Sequence, residues 1–255
     1  MDVELAGTGG PGGAAPGGIF VPNPDGPTRV PDVQALPHFL CYTAETSPPY
    51  GRNPVTFRDG FGTRTAYAGD RNRICNPVGL DGQQPFDAET HMVCYGLTDA
   101  SGAPLPPIAT RVPFVTEWGV GVLVIGRPKL LCAPASKIRL DQVPGGVPAA
   151  PPATVNAYAC YEAQARQGSR GVTLVDEFAD AYTIHGFEAI APEVYCSPAQ
   201  LPGIPVPQPE LALLCELLDP AETLDVPIAT NDAFGGEARM KGEVTNSLCL
   251  PALGR

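Results

Sequence analysis

The sequence predicts an all-β protein: two tandem small β-sandwich or barrel domains, each built from two cysteine-bracketed repeats, with an extended N-terminal arm. Three observations predict it. One unit, opening on Cys and closing on Cys-x-Pro, occurs four times; apolar and polar residues alternate inside it at the period of a strand; and turn dipeptides separate the alternating runs.

The openings read His38-Phe39-Leu40-Cys41-Tyr42, His91-Met92-Val93-Cys94-Tyr95, Ala157-Tyr158-Ala159-Cys160-Tyr161 and Ala212-Leu213-Leu214-Cys215-Glu216. The closings are Cys75-Asn76-Pro77, Cys132-Ala133-Pro134, Cys196-Ser197-Pro198 and Cys249-Leu250-Pro251, and no cysteine is left over. First to second Cys spans 34, 38, 36 and 34 residues. Such constancy suits a structural bracket, so four disulfides are expected, each within its own repeat, in an oxidising compartment. Closing a loop of about 35 residues contributes roughly 3–4 kcal/mol in the chain-entropy model. Thiolate metal binding is the competing use, and it finds no Cys-x-x-Cys pair. Each unit also carries one central aromatic, Phe61, Trp118, Phe178 or Phe234, lying 14, 14, 18 and 15 residues before the closing Cys. These are expected in the core, against the disulfide.

Residues 1–34 read as an arm. Gly7 to Gly18 is nearly all Gly, Pro and Ala, which buries too little surface to fold alone. Two apolar islands interrupt it: Val3 and Leu5, then Ile19, Phe20 and Val21. The arm is either a plain linker or a segment that adds a strand to a partner's sheet; fully extended it spans on the order of 110 Å. Its start, Met1-Asp2-Val3-Glu4-Leu5, lacks the features of a signal peptide, so a secretory leader is expected to have been removed or to lie upstream.

The first β-domain is expected over 35–137, with strands at Val55–Arg58, Thr63–Tyr67 and Val120–Ile125 and turns at Asp59-Gly60, Gly69-Asp70, Asp81-Gly82 and Ser101-Gly102. The Pro/Gly-rich stretch 138–153 reads as a linker. Opening cysteines lie 53 residues apart within the first pair, 66 across this stretch and 55 within the second pair. The second β-domain then covers 154–255, with strands at Val172–Val175, Ala181–Ile184 and Glu193–Cys196. Glu210–Leu218 has helix-forming residues, yet its register with the other Cys openings makes it a strand.

With these residues in view, the chain resembles an uncharacterised family of bacterial extracellular domains of unknown function. Its members repeat His-Phe-x-Cys-Tyr, then Val-x-Val-x-Asp-x-Phe, then Lys-Leu-Leu-Cys-x-Pro-x-x-Lys. Units one and two match best, through His38, Phe39, Cys41, Tyr42, Asp59 and Phe61, then Lys129, Cys132, Pro134 and Lys137. Unit three keeps Cys160, Tyr161, Asp176, Phe178, Cys196 and Pro198, and unit four little beyond Cys215, Phe234, Cys249 and Pro251. The resemblance covers 35–255 and implies an all-β extracellular fold without supplying an activity.

Net charge of −11 repels phosphate backbones, which excludes nucleic acid as a partner class, and no apolar run is long enough for a membrane helix. No catalytic, metal or cofactor motif stands out. His38 and His91 precede a Cys by three residues, but Ala157 and Ala212 hold the equivalent positions, so a metal site in every unit is excluded and strand-entry packing is expected. His185 has no Gly-x-Ser-x-Gly companion for a hydrolase triad. Asp59, Asp176 and Asp232, with Glu117 in unit two, precede the central aromatics and suit turns or edges. Three functions remain, of which a hydrolase has the least in the sequence to support it; the other two are non-catalytic. One is a secreted structural subunit of an extracellular filament or surface assembly, joined head to tail with copies of itself through the arm. The other is a carbohydrate-binding or adhesive module, stacking surface glycans on Trp118 or exposed Tyr residues.

Overall fold

A computed structural model of the chain describes residues 19–22, 37–85, 87–166, 168–178 and 185–254. Among them lie thirteen strands and no helix: β1 (Ile19–Pro22), β2 (His38–Ser47), β3 (Asn53–Asp59), β4 (Gly62–Leu80), β5 (His91–Thr98), β6 (Thr110–Thr116), β7 (Gly119–Arg139), β8 (Ala157–Gln164), β9 (Arg170–Val175), β10 (His185–Ala199), β11 (Leu211–Asp219), β12 (Thr223–Asp232) and β13 (Gly236–Gly254). They form one antiparallel sheet. The helix-forming segment before Cys215 is indeed strand β11: its partners β10 and β13 satisfy its backbone groups on both sides, and tertiary pairing overrides local propensity.

Each repeat supplies two barrel strands and one hairpin. Around the cysteines the pairing runs β2–β4–β5–β7–β8–β10–β11–β13 and returns to β2, a closed ring of eight strands. Within a repeat the two cysteines face each other in register, with Cα atoms 3.8–4.0 Å apart, the close spacing of a non-hydrogen-bonded pair. Across each seam the register slips by two residues: Cys75 faces Met92, Cys132 faces Tyr158, Cys196 faces Leu213 and Cys249 faces Phe39. A stagger of two at each seam gives a shear equal to the strand number, the combination that tilts strands by roughly 36° and lets side chains fill the interior.

All four disulfides of the expected pairing are present, and all point into this barrel. Neighbouring bridges touch, Cys41 Sγ lying 3.5 Å from Cys249 Sγ and Cys132 Sγ 3.7 Å from Cys160 Sγ. Phe39, Met92, Leu130, Tyr158, Val194 and Leu213 pack beside them. The free space left is about 10 Å³, at the lower limit for one water, so the barrel is a solid core and not a ligand cavity.

The two separate β-domains expected from the cysteine intervals are therefore not what is found. Of the stretch 138–153, Ile138 and Arg139 end strand β7 and pair with β12, and the residues after them form a connection across which β7 pairs with β8, while β13 pairs back to β2. Burial explains the difference. His91–Tyr95, Ala157–Tyr161 and Leu211–Glu216 are buried at every position, so these strands are covered on both faces. Two repeats alone would leave four barrel strands with two open edges; four repeats close the ring and remove them.

The second covering layer is made by the hairpins β3/β4, β6/β7, β9/β10 and β12/β13. Their long second strands run from the hairpin into the barrel and bend at irregularities in register near Gly69–Asp70, Arg127–Pro128, Ala189–Val194 and Gly242–Ser247. Gly69-Asp70, expected as a turn, is such a bulge inside β4; Asp70 Oδ1 there accepts the backbone N–H groups of Tyr50 and Gly51. The expected strand Ala181–Ile184 lies outside the described residues.

Every hairpin reaches past its neighbour. The first meets the end of the third repeat's closing strand at Arg58 and Gln200, and β9 of the third meets β4 of the first. Likewise β6 of the second meets β13 of the fourth, and β12 of the fourth meets β7 of the second. Repeats one and three, and two and four, thus exchange hairpins, which ties both halves of the sequence into one unit.

Candidate functional site

The chemistry-bearing residues collect where these hairpin tips dock. At each tip a side chain two positions before the central aromatic accepts that aromatic's backbone N–H: Asp59 for Phe61 at 2.8 Å, Thr116 for Trp118 at 3.2 Å, Asp176 for Phe178 at 3.0 Å and Asp232 for Phe234 at 2.9 Å. The carboxylates make turns, as expected. Thr116, not Glu117, holds the position in repeat two. Edge solubility is not their role, because Asp176 and Asp232 are buried.

What lets these acids be buried is the Tyr that follows each opening Cys. Tyr42 donates to Asp176 Oδ2 at 2.8 Å, Tyr95 donates to Asp232 Oδ2 at 2.7 Å, and Tyr161 donates to Asp59. Burial, followed by the nearby carboxylate, raises each phenol well above its ordinary value and keeps it a donor. In the fourth repeat Glu216 replaces the Tyr, and the tip related to it by the hairpin exchange carries Thr116 in place of Asp. Two carboxylates there would repel, and the substitutions occur together.

Three of the central aromatics pack on these tyrosines and not on the disulfides. Phe61 lies 4.8 Å from Tyr161, Phe178 5.1 Å from Tyr42 and Phe234 5.1 Å from Tyr95 between ring centroids. Trp118 is 4% exposed with the Arg170 guanidinium 4.8 Å over its ring, so it offers no free face for a sugar. The disulfides occupy the barrel interior, and the barrel wall separates them from the hairpin layer.

The histidines follow a similar rule. His38 Nε2 sits 2.8 Å from Glu117 and His91 Nε2 3.5 Å from Glu177, the residues just before Trp118 and Phe178. Repeats three and four open on Ala157 and Ala212, and the equivalent tip residues are Ala233 and Gly60. A His at one opening thus goes with a Glu at the next tip. Burial, and then Lys137, hold His91 well below the usual imidazole range, so it is neutral. The side chain of His185 lies outside the described residues.

The third tip adds a buried lysine and a buried asparagine amide. Lys137, on β7, reaches into it with 1% of its side chain exposed; it donates to Asn76 Oδ1 at 2.7 Å, pairs with Glu177 and lies 3.8 Å over the Phe178 ring. Asn76, fully buried on β4, donates to Asp176 Oδ2 at 2.9 Å. Burial holds the Lys137 amine down to about 8, against the raising pull of Glu177. Two further buried ion pairs brace the barrel mouth and the fourth tip. Arg73 grips Glu193 through both amines, at 2.8 and 2.5 Å, with Lys129 at 2.8 Å; Arg71 Nε meets Asp232 Oδ2 at 3.0 Å. Among the described residues no group of three or more His, Cys, Asp or Glu is placed to hold a metal ion.

Of the expected assembly arm, Val3 and Leu5 lie outside the described residues. Ile19–Pro22 form β1, which adds antiparallel to Gly119–Val122 of β7 in the same chain. Val21 and its register partner Val120 are both exposed. Comparison with protein-family models, curated proteins and solved structures finds no match to this chain.

Proposed function

We propose that the chain is a secreted structural subunit of an extracellular filament or surface assembly, joined to copies of itself through its N-terminal arm. One observation carries this reading: β1 is held by backbone pairing to Gly119–Val122, at the margin of the second hairpin. A backbone edge that accepts this strand from its own chain accepts the same strand from another copy through identical bonds, as in strand exchange between protomers. The 14 residues between β1 and Pro37 extend to roughly 48 Å, enough to span a small domain.

The remaining features suit a load-bearing or exposed role. Four disulfides fit an oxidising compartment and lie at 1–4% exposure, out of reach of reductant. The barrel centre is filled, the carboxylates of Asp59, Asp176 and Asp232 at the hairpin tips are taken up by tyrosine hydroxyls, and no described helix is long and apolar enough to cross a membrane. Deleting residues 1–34 and measuring particle size by light scattering and electron microscopy tests the proposal. The expected outcome is monomers from the truncated chain and restored or capped assembly when a peptide covering Gly17–Pro24 is added. Assembly unchanged by the deletion would rule the arm out.

A further inference from the structure

The cluster at the third hairpin tip is assembled like a reaction centre, yet it is closed to any substrate from outside. Its potential reactants are its own side chains. Lys137 Nζ lies 2.7 Å from Asn76 Oδ1, which for a hydrogen bond along a carbonyl lone pair places it roughly 3.5 Å from Cγ, a near-attack distance. Asp176 Oδ2 accepts from Asn76 Nδ2, the nitrogen that would leave, and also from the Tyr42 hydroxyl. Glu177, 40% exposed, touches the amine and connects it to solvent. Phe178 and Tyr42 wall the site.

We propose that Lys137 and Asn76 join through a self-formed isopeptide bond, a covalent cross-link between repeats one and two that the sequence alone does not reveal. The balance is as follows. The Lys137 ammonium gives one proton to the Glu177 carboxylate, and the freed lone pair attacks Asn76 Cγ, pushing electrons onto Oδ1. The Cγ–Nδ2 bond then breaks. The leaving nitrogen takes the second Lys137 proton, relayed through Asp176, and the proton on Glu177 completes an ammonium ion. One C–N bond forms and one breaks, both carboxylates return to their starting state, and no oxidant is needed.

Three features favour this outcome over a passive hydrogen bond. Desolvation of the amine activates it as a nucleophile, and with its affinity for protons lowered to about 8, about a tenth is neutral at pH 7. All partners are held on strands and a capped turn, so little ordering is left for the reaction itself. Asn76 precedes Pro77, whose nitrogen bears no proton, so the usual loss of ammonia from an Asn by attack of the next backbone nitrogen is closed here.

Intact mass spectrometry of the reduced, denatured full chain decides it. The expected mass falls short of the sequence mass by one ammonia, and proteolysis yields a branched peptide containing Asn76 and Lys137. Lys137→Arg, which keeps the charge, restores the full mass. In Asn76→Asp the same bond forms with loss of water instead. A wild-type chain at full mass overturns the proposal without recourse to any variant; so does an ammonia deficit that survives Lys137→Arg. Neither result bears on the role of the arm, because truncation leaves this cluster intact.

Discussion

Replacing Asp232 by Asn tests the buried wiring of the hairpin exchange. Oδ1 of Asp232 accepts the N–H groups of Phe234 and Gly235 at 2.9 and 2.6 Å, while Oδ2 accepts from Arg71 at 3.0 Å and Tyr95 at 2.7 Å. Asn keeps the shape and can serve one oxygen's role, but its NH2 then confronts donors. Arg71, 3% exposed, is left as a buried cation without its carboxylate, facing the Gly236 carbonyl and the rings of Tyr50 and Tyr95. Breaking a buried pair from one side costs about 3–5 kcal/mol. For a chain of this size that lowers Tm by roughly 10 °C. Urea unfolding of Asp232→Asn, Arg71→Met and the double variant would measure it. The double variant should cost much less than the two single changes added together, since the second removes the orphaned partner. A single-variant cost under about 1 kcal/mol, or strict additivity, would refute the reasoning.

Two other outcomes follow. Burial would raise Glu193, but the bonds from Arg73 and Lys129 outweigh it and bring the carboxyl to about 2, below its unfolded value. Its contribution is therefore complete above about pH 5 and lost as pH falls towards 2, so the acid side of the stability profile should flatten in Glu193→Gln when followed by chemical unfolding at several pH values. At Gly235 a Cβ would lie 2.2 Å from the Tyr95 hydroxyl, whereas at Gly186 nothing lies within 4 Å. Gly235→Ala should destabilise by about 1–3 kcal/mol and Gly186→Ala should not, read as midpoint shifts in denaturant.

Much of the fold could be read from the chain, because the disulfide bracket is a local feature. Constant spacing between Cys41 and Cys75, and in the other three pairs, identifies partners that face each other across adjacent strands of one repeat. How repeats join is not local. The two-residue slip that sets Cys75 opposite Met92 leaves no trace in spacing, and the longer interval before Cys160 reflects only a loop. The buried runs around Cys94, Cys160 and Cys215 held the better clue, since strands apolar on both sides need two coverings. The site was harder still. Asp59 and Tyr161 sit in different repeats and meet only through the hairpin exchange, so neither motif points to the other. Substitutions among the copies did carry a signal: His38 and His91 accompany Glu117 and Glu177, and Glu216 accompanies Thr116. Lys137 and Asn76 were visible as parts of motifs, but their meeting depends on the tip of a third repeat.

The central claim is that four repeats close a single barrel, with no disulfide crossing between the halves of the sequence. A protease site placed between Gly145 and Gly146, in the exposed turn after β7, allows the chain to be cut after folding and run on a sizing column in native buffer. The barrel predicts that the two pieces elute together as one particle and part only in denaturant; two separately eluting folded fragments would contradict it.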